Sequence, residues 1–317
     1  MSEKMIEILG LSRRFGQTQA LDNINLEVNR GEVMGFLGPN GAGKTTAMRI
    51  LSGLLSPSSG HVRVAGMDIL NEPIKVRQSI GFLPETPPIY GEMTVREYLT
   101  YLASLRGVGK GALKQSVNDA MDRCGLTAVS HRLLRNLSKG YRQRAGIAQA
   151  IVHKPDIVIL DEPTVGLDPI QIREIRKLIR ELGGEHSVLL STHILPEVQM
   201  TCDRVSVINN GRIVAQDTLA GLEARQKAAK GLRFVWDNPP DDATLQSIPG
   251  VAELQTDGDA KLIIPNKNQD PRAELVKRSV ENNWGLLELR PVEHSLEEIF
   301  VQLTTMEPQG NNTEVSQ

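Results

Sequence analysis

The stretch that most constrains this chain is Gly38-Pro39-Asn40-Gly41-Ala42-Gly43-Lys44-Thr45-Thr46, which satisfies the pattern G-x-x-x-x-G-K-[ST]. Residues 33–37, Val-Met-Gly-Phe-Leu, read as a short buried strand before it, and residues 46–55 read as a helix after it. The chemistry requires that context. Glycines let the backbone curl so that successive N–H groups point inward, and the helix N-terminus adds partial positive charge. Lys44 then reaches the β- and γ-phosphates, and the Thr45 hydroxyl is placed to hold Mg²⁺. The stretch predicts a bound nucleoside triphosphate.

Strand and helix alternate along the rest of the chain. Apolar segments at 6–9, 24–28 and 33–37 read as strands, with Phe15 expected on the loop between the first two. Ile80-Gly81-Phe82-Leu83 reads as a buried strand ended by Pro84. From 94 to 124 the spacing of Val95, Tyr98, Leu99, Leu102 and Leu105 is helical, and Ser138 reads as the N-cap of another helix. These segments predict an inserted helical lobe at about residues 90–153. Ile157-Val158-Ile159-Leu160 is a continuous apolar run, as in a central parallel strand. A helix at 170–182, a strand at 188–191, a helix at 195–201 and strands at 205–208 and 212–215 follow. The expected fold class is α/β, with helices covering a largely parallel sheet over residues 1–225. After Lys230 the order becomes βαββαβ, which predicts a small α+β, ferredoxin-like domain at 231–305 with a closing helix at 295–303. Residues 306–317 are polar and expected to be disordered.

Bulk properties narrow the function. A length of 317 residues suffices for one large core and one small one, and a net charge of −2 argues against a nucleic-acid-coating surface. Cys124 and Cys202 are too few for a disulfide framework or metal cluster, which fits a reduced cytoplasm. The first residues lead straight into an amphipathic strand, so no secretory signal is expected. No apolar run approaches spanning length, so any action at a membrane calls for a second polypeptide to do the spanning.

A phosphate loop alone fits kinases, GTPases, helicases and transport motors. Asp161-Glu162 adds two carboxylates at the end of a buried strand, one suited to the Mg²⁺ shell and its neighbour to polarising an attacking water. Together with Leu137-Ser138-Lys139-Gly140-Tyr141-Arg142-Gln143-Arg144, Gly166-Leu167-Asp168 and Ser191-Thr192-His193, the chain resembles the nucleotide-binding subunit of ATP-binding cassette (ABC) transporters over residues 5–220. The resemblance implies a P-loop NTPase core that binds and hydrolyses ATP with Mg²⁺. Gly38, Pro39, Asn40, Gly41, Ala42, Gly43, Lys44, Thr45 and Thr46 would form its phosphate loop, and Phe15 would stack on adenine. Asp161 would sit on the magnesium side, Glu162 would be the general base, and His193 the switch that bonds the γ-phosphate. Ser138 and Gly140 would belong to the signature helix, and Asp168 to the loop that couples two sites.

Two positions depart from the family's commonest form. Lys139 stands where a glycine is usual, with Tyr141 after Gly140 in place of glutamine. Glu85, in Gly81-Phe82-Leu83-Pro84-Glu85, stands where a metal-approaching glutamine is usual. Both are similar to the ABC-2 type of exporter, which includes drug-resistance, sodium-export and gliding-motility ATPases, as is the stretch Ser295-Leu296-Glu297-Glu298-Ile299-Phe300. Such a resemblance implies a head-to-tail homodimer around two ATP molecules, coupled to a separate transmembrane permease at the inner face of the cell membrane. A soluble ABC-type switch and an ATP-binding module with little turnover remain as alternatives on the sequence alone.

Overall fold

Two long strands open the chain in the computed structural model, which describes residues 3–221, 231–266 and 269–292. β1 (Lys4–Phe15) and β2 (Thr18–Asn29) pair antiparallel across a turn at Gly16-Gln17. Both outrun the apolar segments that mark them, and Phe15 is the last residue of β1, opposite Thr18, rather than a loop residue. The reason lies at Gly10 and Asn23, with φ of 62° and 51°. The pairing register shifts beside them, so the two-residue alternation breaks and one strand reads as fragments. After β3 (Val33–Leu37), β4 (Ser59–Val64) and β5 (Met67–Asp68) complete this first sheet, in the order β2-β1-β4-β5.

The second sheet has the order β10-β9-β3-β8-β7-β6. β3, β6 (Ile80–Leu83), β7 (Ile157–Asp161), β8 (Ser187–Thr192) and β9 (Arg204–Asn209) run parallel, and β10 (Arg212–Thr218) closes one edge antiparallel. β3, β7 and β8 are buried at every residue, as strands covered on both faces must be. Helix α1 (Lys44–Leu51) joins the two sheets. Its Ala47, Met48, Ile50 and Leu51 share one core with Ile6, Ile8 and Val62 of the first and with Met34, Phe36, Ile159 and Leu189 of the second.

α2 (Pro73–Ser79) leads into β6, and the helical lobe is inserted between β6 and β7. Its stretch from 94 to 124 is two helices, α3 (Val95–Leu105) and α4 (Lys110–Arg123), separated at Gly107, whose φ is 82°. Thr94 and Glu97 start α3 with a reciprocal capping box. α5 (Lys139–Ile151) begins at Ser138 and returns the chain to β7; α6 (Pro169–Leu182) and α7 (Leu195–Thr201) connect β7 to β8 and β8 to β9.

The chain divides into two compact units, Met1–Leu219 and Ala220–Gln317. In the second, β11 (Gly231–Trp236), β12 (Val251–Asp257), β13 (Ala260–Pro265) and β14 (Leu286–Val292) form an antiparallel sheet in the order β12-β13-β11-β14. With the helices Asp242–Gln246 and Arg272–Glu281 between them, this is the split βαβ arrangement expected from the strand order. Phe234 and Trp236 stack at 5.0 Å over a core that includes Leu245, Ile263 and Leu275. The helix expected at 295–303 and the tail at 306–317 lie outside the described residues.

His153, just after α5, donates from Nε2 to the Ile80 carbonyl at 3.2 Å, while its Nδ1 is buried without a partner. Burial, helped by the Arg106 charge, pushes this imidazole down to about 4. The folded chain therefore keeps it neutral where the unfolded chain, near its ordinary value of about 6.5, takes up a proton. Stability is expected to hold above about pH 6.5 and to fall as pH drops towards 4, by up to about 3 kcal/mol from this group. His153→Gln should flatten denaturant midpoints measured across that window.

Candidate active site

β3 delivers the chain to the phosphate loop at the carboxyl edge of the parallel sheet. There the loop turns hard. Gly41 and Gly43 take φ of 80° and 106°, and a Cβ on Gly38 would lie 2.3 Å from the Ile208 carbonyl oxygen. The tight curl brings Gly43 N-terminal to α1, which starts without a side-chain cap and has no acidic residue in its first turn. Both features leave the helix N-terminus suited to an anion.

Lys44 opens α1 and is 5% exposed. Its Nζ donates to the carbonyl oxygens of Gly38 at 2.8 Å and Pro39 at 3.1 Å, and stands 3.2 Å from Glu162 Oε1. The other oxygen of Glu162 accepts from His193 Nδ1 at 2.9 Å. Because the carboxylate accepts, Nδ1 carries the hydrogen, which leaves Nε2 available to a ligand. Glu162 itself takes φ of 50°, a left-handed conformation that strains a side chain. Lys44, Glu162 and His193 thus form one polar chain from α1 through the end of β7 to the end of β8.

These groups face a cleft of ≈ 510 Å³. Asn40, Gly41, Gly43, Thr45 and Thr46 line one side, and Glu85, Glu162, Val165 and His193 another. Thr18, Gln19 and Ala20 supply a wall that sequence patterns did not mark. Phe15 is not among the lining residues; it is 46% exposed, paired across the hairpin with Thr18, with the Arg13 guanidinium 4.6 Å from its ring centroid.

Asp161, the last residue of β7, is buried, and neither carboxylate oxygen has a hydrogen-bond partner. Ser191, opposite it on β8, also buries an unpartnered hydroxyl. Orphaned buried oxygens of this kind fit a cation. The donors are hard oxygens, and no cluster of three or more His, Cys, Asp or Glu exists among the described residues. Magnesium suits such a set, since it takes one or two carboxylates and completes its shell from phosphate and water.

Ser138, Gly140 and Asp168 do not reach that cleft. They surround a separate cavity of ≈ 340 Å³ with Tyr141 and Gln171. Ser138 caps α5, accepting from Tyr141 N at 3.4 Å, and Asp168 caps α6, accepting from Ile170 N and Gln171 N at 3.0 and 2.9 Å. The Lys139 departure lies against Gly166: a Cβ on that glycine would stand 2.1 Å from Lys139 Nζ. A glycine at 166 is what lets the lysine lie there.

The ABC transporter family matches residues 21–165. The ABC transporter ATP-binding protein YdbJ of Bacillus subtilis is 35% identical over 96% of this chain and 97% of that protein. The bacitracin transport ATP-binding protein BcrA of Bacillus licheniformis is 33% identical over 94% and 97%. Among solved structures, cbiO1 from Clostridium perfringens, part of the ABC transporter complex cbiONQ, superposes with a TM-score of 0.65 at 30% identity, covering 72% of this chain and 93% of that one. A bacterial ABC transporter cassette solved as a dimer shares the fold, with a TM-score of 0.62 at 24% identity over 68% of this chain and 99% of that one.

Gly43→Ala should weaken ATP binding. The added Cβ would meet the Ala20 carbonyl oxygen at 2.6 Å, and the φ of 106° strains any side chain. Calorimetric titration of the folded variant should give at least about a tenfold rise in Kd.

Proposed function

The chain belongs to the ATP-binding proteins of ABC transporters, and from that membership we propose that it is an exporter's ATPase subunit, acting as a head-to-tail pair of copies on a separate permease. The observation that carries this reading is the division of the site. Lys44, Glu162 and His193 face one cavity, and Ser138, Gly140 and Asp168 face another. A pair related by a two-fold axis brings the first cavity of each copy against the second cavity of the other.

Lys44 is held by Glu162. The triphosphate of ATP takes over the ammonium and leaves Glu162 Oε1 free to accept a proton from the attacking water. His193 keeps its Nδ1 bond to Glu162 and turns Nε2 to the γ-phosphate. Ser138 and the N–H groups at the start of α5 of the second copy close over that phosphate and exclude bulk water. Thr45 and Asp161, with Glu85 on the cleft that Thr45 lines, are the residues that would hold Mg²⁺, which would supply positive charge to the triphosphate. Hydrolysis removes the bridge between copies, and the pair opens.

No helix among the described residues is long and apolar enough to cross a membrane. In this reading the permease spans it and holds the subunit at the inner face. Tyr90 and Tyr101, exposed on the lobe and edge-to-face at 5.9 Å, offer it an aromatic contact. Copurification of a protein with several spanning segments tests that partnership.

Glu162→Gln should cut turnover by roughly 10²- to 10⁴-fold. Because it also removes the carboxylate that competes for Lys44, ATP affinity should stay level or rise, and an ATP-bound dimer should accumulate in gel filtration. Undiminished turnover would place the water-activating group elsewhere, with Glu85 next to be tested.

Gly140→Asp should abolish ATPase activity while monomer ATP affinity is kept. The atoms nearest a Cβ at 140 are the flexible end of Gln171, with Oε1 at 2.5 Å, a side chain that can move aside. Its charge would face the γ-phosphate of the opposed copy. Normal turnover by this variant would rule out the head-to-tail arrangement.

A further inference from the structure

Glu197, on α7, is 1% exposed and lines neither cavity. Thr192 Oγ1 donates to its Oε2 at 2.7 Å, and Thr164 Oγ1 donates to its Oε1. The Arg176 guanidinium stands 3.6 Å from Oε1. Two of these partners adjoin residues of the candidate active site. Thr164 lies two residues after Glu162. Thr192 immediately precedes His193, and its hydroxyl also accepts from Ile194 N at 3.1 Å, so it holds the backbone on both sides of the histidine. Arg176 lies on α6, whose first turn is capped by Asp168.

A carboxyl group in this position is costly compared with an apolar residue of similar volume. Packing alone gives no reason for it. The strained φ of 50° at Glu162 supplies one, because such a conformation persists only when the surroundings fix it from several sides. Glu162 N donates to Ser191 O at 2.9 Å on one side, and Val165 N closes the turn onto Glu162 O at 3.3 Å. The Thr164 hydroxyl, held by Glu197, is the side-chain tie from the α7 side.

We propose that Glu197 is a positioning residue that locks the turn of Glu162 and the loop of His193 to one another, so that the carboxylate stays aimed between Lys44 and the histidine. The inference rests on the reading of Glu162 as the water-activating base. Its effect falls on the chemical step. Nucleotide affinity, set by the phosphate loop, is left alone.

The test compares kcat, KM and the Kd for a non-hydrolysed ATP analogue in Glu197→Ala, Glu197→Gln, Thr192→Val and His193→Ala, with Glu162→Gln in the same assay. Glu197→Ala should lower kcat at least about tenfold and Thr192→Val severalfold, each with Kd changed by less than about threefold. Glu197→Gln keeps the volume and one acceptor oxygen and should recover part of the rate. His193→Ala combined with Glu197→Ala should be little slower than His193→Ala alone, since both changes disturb one arrangement. A slow Glu162→Gln beside wild-type kcat in Glu197→Ala and Thr192→Val would overturn the role of Glu197 and leave that of Glu162 standing. Undiminished turnover in Glu162→Gln would overturn the assignment of the base and this inference with it. Losses in Kd that parallel those in kcat, or fully additive effects with His193→Ala, would make Glu197 a packing residue and overturn the proposal. Should Glu197→Ala fail to fold, Thr192→Val preserves shape and decides the matter by the same readings.

Discussion

The ammonium of Lys44 is buried among three oxygens, two from the loop that precedes it and one from Glu162 after β7, two strands away in the sheet. A charge with so little water around it needs partners, and in a low dielectric the attraction to a carboxylate is strong. That contact can form only because the strands are parallel. The ends of β3, β8 and β7 lie side by side, with Leu37 opposite Thr192 and Asp161 opposite Ser191, so groups far apart in the chain meet at one edge. The burial of these strands on both faces is the condition for the lysine to find its carboxylate.

The same architecture explains why one chain presents two separate cavities, each at the start of a helix. α1 starts at the edge of the sheet, where the loop from β3 ends, whereas α5 starts on the inserted lobe. Both helix starts lack acidic residues in the first turn. At α5 the first helical residue is a lysine, a cation at the end of the helix where the dipole disfavours it. Lys139 lies along Gly166, two residues before the residue that caps α6. The departure at 139 and the glycine at 166 are one packing solution.

Much of this was legible in the residues because the chemistry is local in sequence. A glycine loop, an apolar run ending in two acids, and a serine before a helix each announce their geometry within a few positions. The strand order of the second unit was equally readable, since its elements are short and separated by turn residues. What escaped was tertiary. Gln19 and Ala20 reach the cleft because β2 folds over it, and nothing in their identity marks them. The length of β1 is hidden by a register shift at Gly10, and for that reason Phe15 reads as a loop residue. Glu197 carried no signal at all: an acid on a short helix normally reads as solvated, and only its burial against two hydroxyls shows otherwise.

The positive φ at Glu162 has a consequence for how this chain can evolve. A glycine there would relieve the backbone strain, worth on the order of 1 kcal/mol, and would delete the carboxylate at the same stroke. Selection for thermal stability alone would therefore favour variants that have lost the proposed base. The end of β7 is a position where folding and turnover make opposite demands on one residue, and the glutamate marks which demand has prevailed.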